Sequence, residues 1–77
     1  MIQELEFVAL VHDIEKYGLK QGDIGTVVHC YKDELACEVE FITAFGETIA
    51  VETLSFDEVR PLKGMEILHV REMKMAA

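Results

Sequence analysis

From Cys37 to Phe41, apolar residues alternate with glutamates: Cys37, Glu38, Val39, Glu40, Phe41. A period of two puts successive side chains on opposite sides of a strand, whereas a helix would scatter the same residues around its surface. This segment buries one side and wets the other when it lies in an antiparallel sheet. The remaining strands must come from a chain of 77 residues, which is enough for one domain. A chain of this size buries only roughly 60–65% of its unfolded surface, which excludes a multidomain enzyme and a large internal cofactor cleft.

Four other runs read as strands. Phe7-Val8-Ala9-Leu10-Val11 is a short apolar run, and Thr26 to Tyr31 is β-branched and aromatic. Ala36 to Ile42 contains the alternating segment, and Thr48 to Leu54 follows after a loop in which Gly46 can take the left-handed conformation. Val59 to Leu62 is the last run, and Pro61 restricts it to an edge or a strand end. Gly18, Gly22 and Gly25 punctuate a long turn after the first strand. Ser55 followed three residues later by Glu58 has capping-box spacing for one helical turn.

If Tyr31 and Ala36 close the first hairpin, Cys30 faces Cys37, Val28 faces Val39 and Thr26 faces Phe41. Val27, His29, Tyr31, Ala36, Glu38 and Glu40 then share the solvent side. In the second hairpin, pairing Phe41 with Ile49 brings Val39 to Val51 and keeps the apolar residues in phase. The expected fold is all-β: a small five-stranded SH3-like barrel over residues 1–62, with one short helical turn.

Residues 63–77 form a C-terminal extension. Met65, Ile67, Leu68, Val70, Met73 and Met75 make it too apolar for a disordered end. An extra strand from about Glu66 to Glu72 is expected, with a one-turn-longer helix as the weaker option. The extension packs on its own barrel or on a second chain through Ile67, Leu68 and Val70.

The phrase Leu19-Lys20-Gln21-Gly22-Asp23-Ile24-Gly25-Thr26-Val27-Val28 resembles the turn of SH3-like and KOW-type barrels. Gly22 and Gly25 permit a tight reversal, and Asp23 can bond nearby backbone amides. With Glu38 to Phe41, Thr48 to Val51 and Arg60 to Leu62, the chain is similar to a family of short bacterial domains of unknown function over about residues 5 to 62. The resemblance implies the barrel and is nearly silent on chemistry. Related barrels in ribosomal and transcription proteins and in the nitrile hydratase β-subunit imply two alternative roles, a nucleic-acid-binding module and an accessory subunit of an enzyme.

The residues themselves point away from catalysis. Ser55 is the only serine and is used by the capping box, His12 and Asp13 point apart as neighbours on a strand end, and Gly22-x-x-Gly25 lacks the lysine of a phosphate loop. Cys30 and Cys37 read as core residues, with a cross-strand disulfide as the alternative, and no metal-ligand spacing is present. No cofactor is expected. Fifteen acidic residues against seven basic ones give a formal net charge of −8, which disfavours phosphate backbones and anionic membranes. The first ten residues lack a basic leader region and two cysteines are too few for a secreted scaffold, so the expected compartment is the cytoplasm.

The expected function is therefore a non-enzymatic protein-interaction module, in its concrete form an antitoxin- or immunity-type inhibitor of a basic partner, with a homodimer left open. Glu38, Glu40 and Glu52 are expected on outward positions of neighbouring strands, with Tyr31 as aromatic anchor. Lys16, Lys20 and Lys32 are the candidates for the nucleic-acid alternative.

Overall fold

The structure is a computed structural model describing residues 2–73. Five strands form one antiparallel sheet: β1 (Phe7–Leu10), β2 (Ile24–Tyr31), β3 (Ala36–Ile42), β4 (Thr48–Ser55) and β5 (Val59–Pro61). Their order across the sheet is β4-β3-β2-β1-β5, so the last strand returns to lie beside the first. The sheet wraps one core of Val8, Leu10, Leu19, Val27, Cys37, Val39, Phe41, Leu54 and Val59, with Ile2 added from the N-terminal segment. The all-β expectation holds, with helix among the described residues limited to short 3₁₀ turns at Glu15–Tyr17, Lys32–Glu34 and Phe56–Glu58.

The turns follow from their residues. Gly18, at φ +71°, ends the first 3₁₀ turn, and Ile14 and Leu19 bridge its base. Asp23 accepts the Lys20 N–H at 2.8 Å, and Gly22 takes φ +90° between them. Gly46 adopts the left-handed conformation expected of it. Before β5, Glu58 Oε1 accepts the Ser55 N–H at 2.9 Å, completing the capping box.

Both hairpin registers need correction. The first pairs Tyr31 with Ala36, Cys30 with Cys37 and His29 with Glu38 as expected, but a bulge between Val27 and His29 shifts the rest. Val27, not Val28, stands opposite Val39, and Thr26 stands opposite Glu40. Val27 is therefore fully buried while Val28 is exposed. Two adjacent valines satisfy either phase, and a bulge inserts one residue without changing composition. In the second hairpin a shift between Phe41 and Ile42 pairs Phe41 with Ala50, Glu40 with Val51 and Val39 with Glu52. Val51 thus leaves the core and Ala50 enters it.

Gly25 also has a different role from that expected. It lies inside β2, where a Cβ would come 2.4 Å from Val39 Cγ1 and 2.9 Å from Phe41 Cε1. Its missing side chain is room for the core, not freedom for a turn.

The extension forms neither the expected strand nor a helix over its described residues. Residues 62–73 run as an irregular strap, and Met75 lies outside the described residues. Two ion pairs fasten it. Arg60 grips Glu66 with two hydrogen bonds, at 2.9 and 2.6 Å. Arg71 donates Nε to Asp23 Oδ1 at 2.8 Å and Nη2 to both Asp23 Oδ2 and the Gly18 carbonyl. Among the described residues, no helix is long and apolar enough to cross a membrane.

Candidate functional site

Residues paired across a ladder share a face, so the registers define the outer surface of β2, β3 and β4 row by row. One row is Phe7, Thr26, Glu40 and Val51. The next is His29, Glu38 and Thr53, and the last is Tyr31, Ala36 and Ser55. Glu38 and Glu40 are thus two outward carboxylates on one strand, flanked by the exposed side chains of Phe7 and Val51. None of these row positions holds a lysine or arginine.

Local hydrogen bonds orient both acids. The Tyr31 hydroxyl donates to Glu38 Oε2. That bond to the carboxylate raises the Tyr31 pKa, so the phenol stays neutral and remains a donor. Tyr31 also meets the His29 ring edge-on, with centroids 4.5 Å apart, and His29 Nδ1 lies 3.4 Å from Glu4 Oε2. The Thr48 hydroxyl donates to Glu40 Oε2 at 2.7 Å.

Glu52 does not belong to this group. Its partner is Val39, which places it on the inward-facing side of β4, half-buried at the margin of the core. The Lys16 pKa is raised chiefly by the neighbouring Tyr17, with a smaller contribution from the negative charge of Glu52. The expected set is therefore divided: Tyr31, Glu38 and Glu40 come together, and Glu52 lies on the other side of the sheet. The shift at Ile42 is the cause, because one residue of slip moves a side chain across the sheet.

The three expected extension residues are outward: Ile67 is 92% exposed, Leu68 64% and Val70 90%. The strap is thus pinned by charge and turns apolar side chains to solvent, the reverse of an apolar strap on a core. Its last described residues, with Phe41, Phe45, Ile49 and Leu19, border a groove of about 460 Å³. Neither the Arg60–Glu66 pair nor the Arg71–Asp23 pair is expected from the sequence. Arg71 and Asp23 are 48 residues apart, so no local pattern announces their pairing.

Other candidates are dispersed. Lys20 Nζ lies 3.9 Å from Asp13 Oδ2, and Lys16 Nζ lies 5.0 Å from the Tyr17 ring centre. Lys32 stands apart from both in sequence, in the β2–β3 turn. Cys30 and Cys37 are both free thiols. Burial pushes the Cys37 thiol pKa up, which keeps it protonated and unreactive. The His12 ring meets the backbone of Asp13 and the carboxylate of Glu58. Its Nδ1 faces the Asp13 carbonyl at 2.8 Å and its Nε2 faces Glu58 at 2.9 Å, so both ring nitrogens meet acceptors. Among the described residues, no group of three His, Cys, Asp or Glu side chains is arranged to hold a metal ion.

The fold and this face define a small all-β domain with an acidic, aromatic-edged outer sheet surface. A family model described as a domain of unknown function, DUF4926, matches residues 4–61, and the chain belongs to that family. The match covers all five strands and stops before the strap. No curated protein and no solved structure matches the chain.

Proposed function

We propose that this domain is a non-enzymatic protein-binding module that docks a basic partner on the outer face of β2 and β3. The observation that carries this reading is the pair Glu38 and Glu40, outward on one strand with no lysine or arginine in their ladder rows. Like charges two residues apart on one face cost stability in the free protein, and a cationic partner relieves that cost. Phe7 and Val51 supply apolar contact beside the charges, and Tyr31 supplies an aromatic edge held by its bond to Glu38. An inhibitor of a basic protein, of the antitoxin or immunity kind, is the concrete form of this function.

The test is a quantitative pull-down from the native host with wild-type bait and with the Glu38→Lys/Glu40→Lys double variant. A partner with a basic surface is expected on the wild type and at least about tenfold depleted on the variant. Identical captured proteins on both baits would refute the reading.

A further inference from the structure

The two edges of the sheet differ in kind. β5 is three residues long, contains Pro61 and is followed by the strap that Arg60 and Glu66 hold down. Those are the usual protections of an edge: shortness, proline and charge. β4 is neither short nor interrupted by proline, and its one charged residue is Glu52. It runs eight residues, Thr48-Ile49-Ala50-Val51-Glu52-Thr53-Leu54-Ser55, without proline, lysine or arginine. Among the described residues, its backbone pairs with β3 and with no other backbone. Every second N–H and C=O along it therefore points away from the sheet, in the arrangement that a further strand requires.

An open ladder specifies its occupant more narrowly than an apolar patch does, because only extended backbone satisfies alternating donors and acceptors. The charge around the edge narrows it further. Glu47 precedes the strand, Glu52 lies within it, and Glu40 stands on the neighbouring strand beside Val51. A second copy would bring the same acids and another net charge of −8 to this edge. A cationic strand would meet them with opposite charge. We propose that the free edge of β4 takes an extended, lysine- or arginine-bearing segment of a partner protein as an added strand. Strand addition here continues the outer face that carries Glu38 and Glu40, so this inference rests on the docking reading above and names the form of the partner.

The experiment uses the full chain, ¹⁵N-labelled, titrated with a blocked seven-residue peptide of alternating valine and lysine. Two further peptides carry N-methyl groups on all valine nitrogens or on all lysine nitrogens. Since only alternate N–H groups of an added strand face its neighbour, one methylated peptide must bind at least about tenfold more weakly and the other must match the parent. Amide shifts of Thr48 to Ser55 must follow binding. Equal binding of all three peptides, weakening of both methylated ones, no binding at about 1 mM peptide, or a stable dimer by sedimentation would overturn the proposal. The Glu38→Lys/Glu40→Lys variant separates the two claims. If the variant binds the parent peptide normally and the methylation pattern persists, the edge stands and the acidic-face reading falls. If the variant loses binding and methylation has no effect, the face stands and the edge falls.

Discussion

At Gly25 the core touches the backbone. A Cβ there would meet Val39 Cγ1 at 2.4 Å, Phe41 Cε1 at 2.9 Å and the Glu40 carbonyl at 3.0 Å, and a carbonyl in a ladder cannot step aside. Gly25→Ala is expected to destabilise the domain by about 2–3 kcal/mol, the upper range for overpacking, measured by urea denaturation. Leu35 presents the opposite case. It holds φ +51° at the end of the 3₁₀ turn between β2 and β3, and it is 63% exposed. A left-handed conformation strains a side-chain-bearing residue, and little packing would be lost with the side chain. Leu35→Gly should stabilise by about 0.5–1 kcal/mol after the greater freedom of glycine in the unfolded chain is subtracted; a lower midpoint in the same denaturation would contradict this. His12 shows how single residues set pH dependence. The bond to the Asp13 carbonyl, and then the one to Glu58, raise its pKa above the ordinary value. Its contribution is therefore complete below pH about 6.5 and is lost as pH rises through the higher folded value. His12→Gln should flatten the fall in melting temperature across that window.

Between the elements, the strap depends on charge. Arg60, and then the Lys63 N–H, hold the Glu66 pKa down to about 2. At Asp23, desolvation acts upward, but the bonds from Arg71 and from the Lys20 N–H outweigh it and the net shift is downward. A depressed carboxylate stabilises the folded state above its unfolded pKa and ceases to do so as pH falls through the folded one. For Glu66 that window runs from its ordinary value of 4.5 to about 2. Amide signals of residues 66–72 should shift toward random-coil positions as pH falls through this window, before the β3 amides exchange faster. Arg71→Ala should free the same segment at neutral pH and speed proteolysis after Lys63. The barrel should keep its stability within about 0.5 kcal/mol, because a surface ion pair contributes little to the core. Simultaneous loss of strap and barrel signals would show that the two are one cooperative unit.

For the whole molecule, a net charge of −8 on 77 residues acts against compactness. Screening should relieve it. Raising salt from about 20 mM to about 0.5 M should stabilise the barrel by about 0.5–1 kcal/mol, roughly 2–8 °C in melting temperature. The strap should respond in the opposite sense, since its ion pairs weaken under the same screening. A melting temperature that falls with salt would mean that ion pairs outweigh self-repulsion. The strand positions were legible in the sequence, because Cys37, Val39 and Phe41 alternate with acids and because Gly18, Gly22, Gly46 and Pro61 mark where strands cannot continue. The local pairing of Cys30 with Cys37 was legible too, since a tight hairpin sets its first rungs. The rungs beyond were not. Val27 and Val28 are chemically equivalent, and Ala50 and Val51 are adjacent apolar residues, so only the packing around Gly25 and Phe41 decides which of each pair goes inside. That same decision separates Glu52 from Glu38 and Glu40, and so redraws the candidate site. The Asp23–Arg71 clasp and the edge of β4, which pairs with no second strand among the described residues, likewise belong to tertiary structure alone. Alternation and turn chemistry act between neighbours in the chain, whereas bulges, clasps and sheet edges depend on which distant segments come to lie side by side.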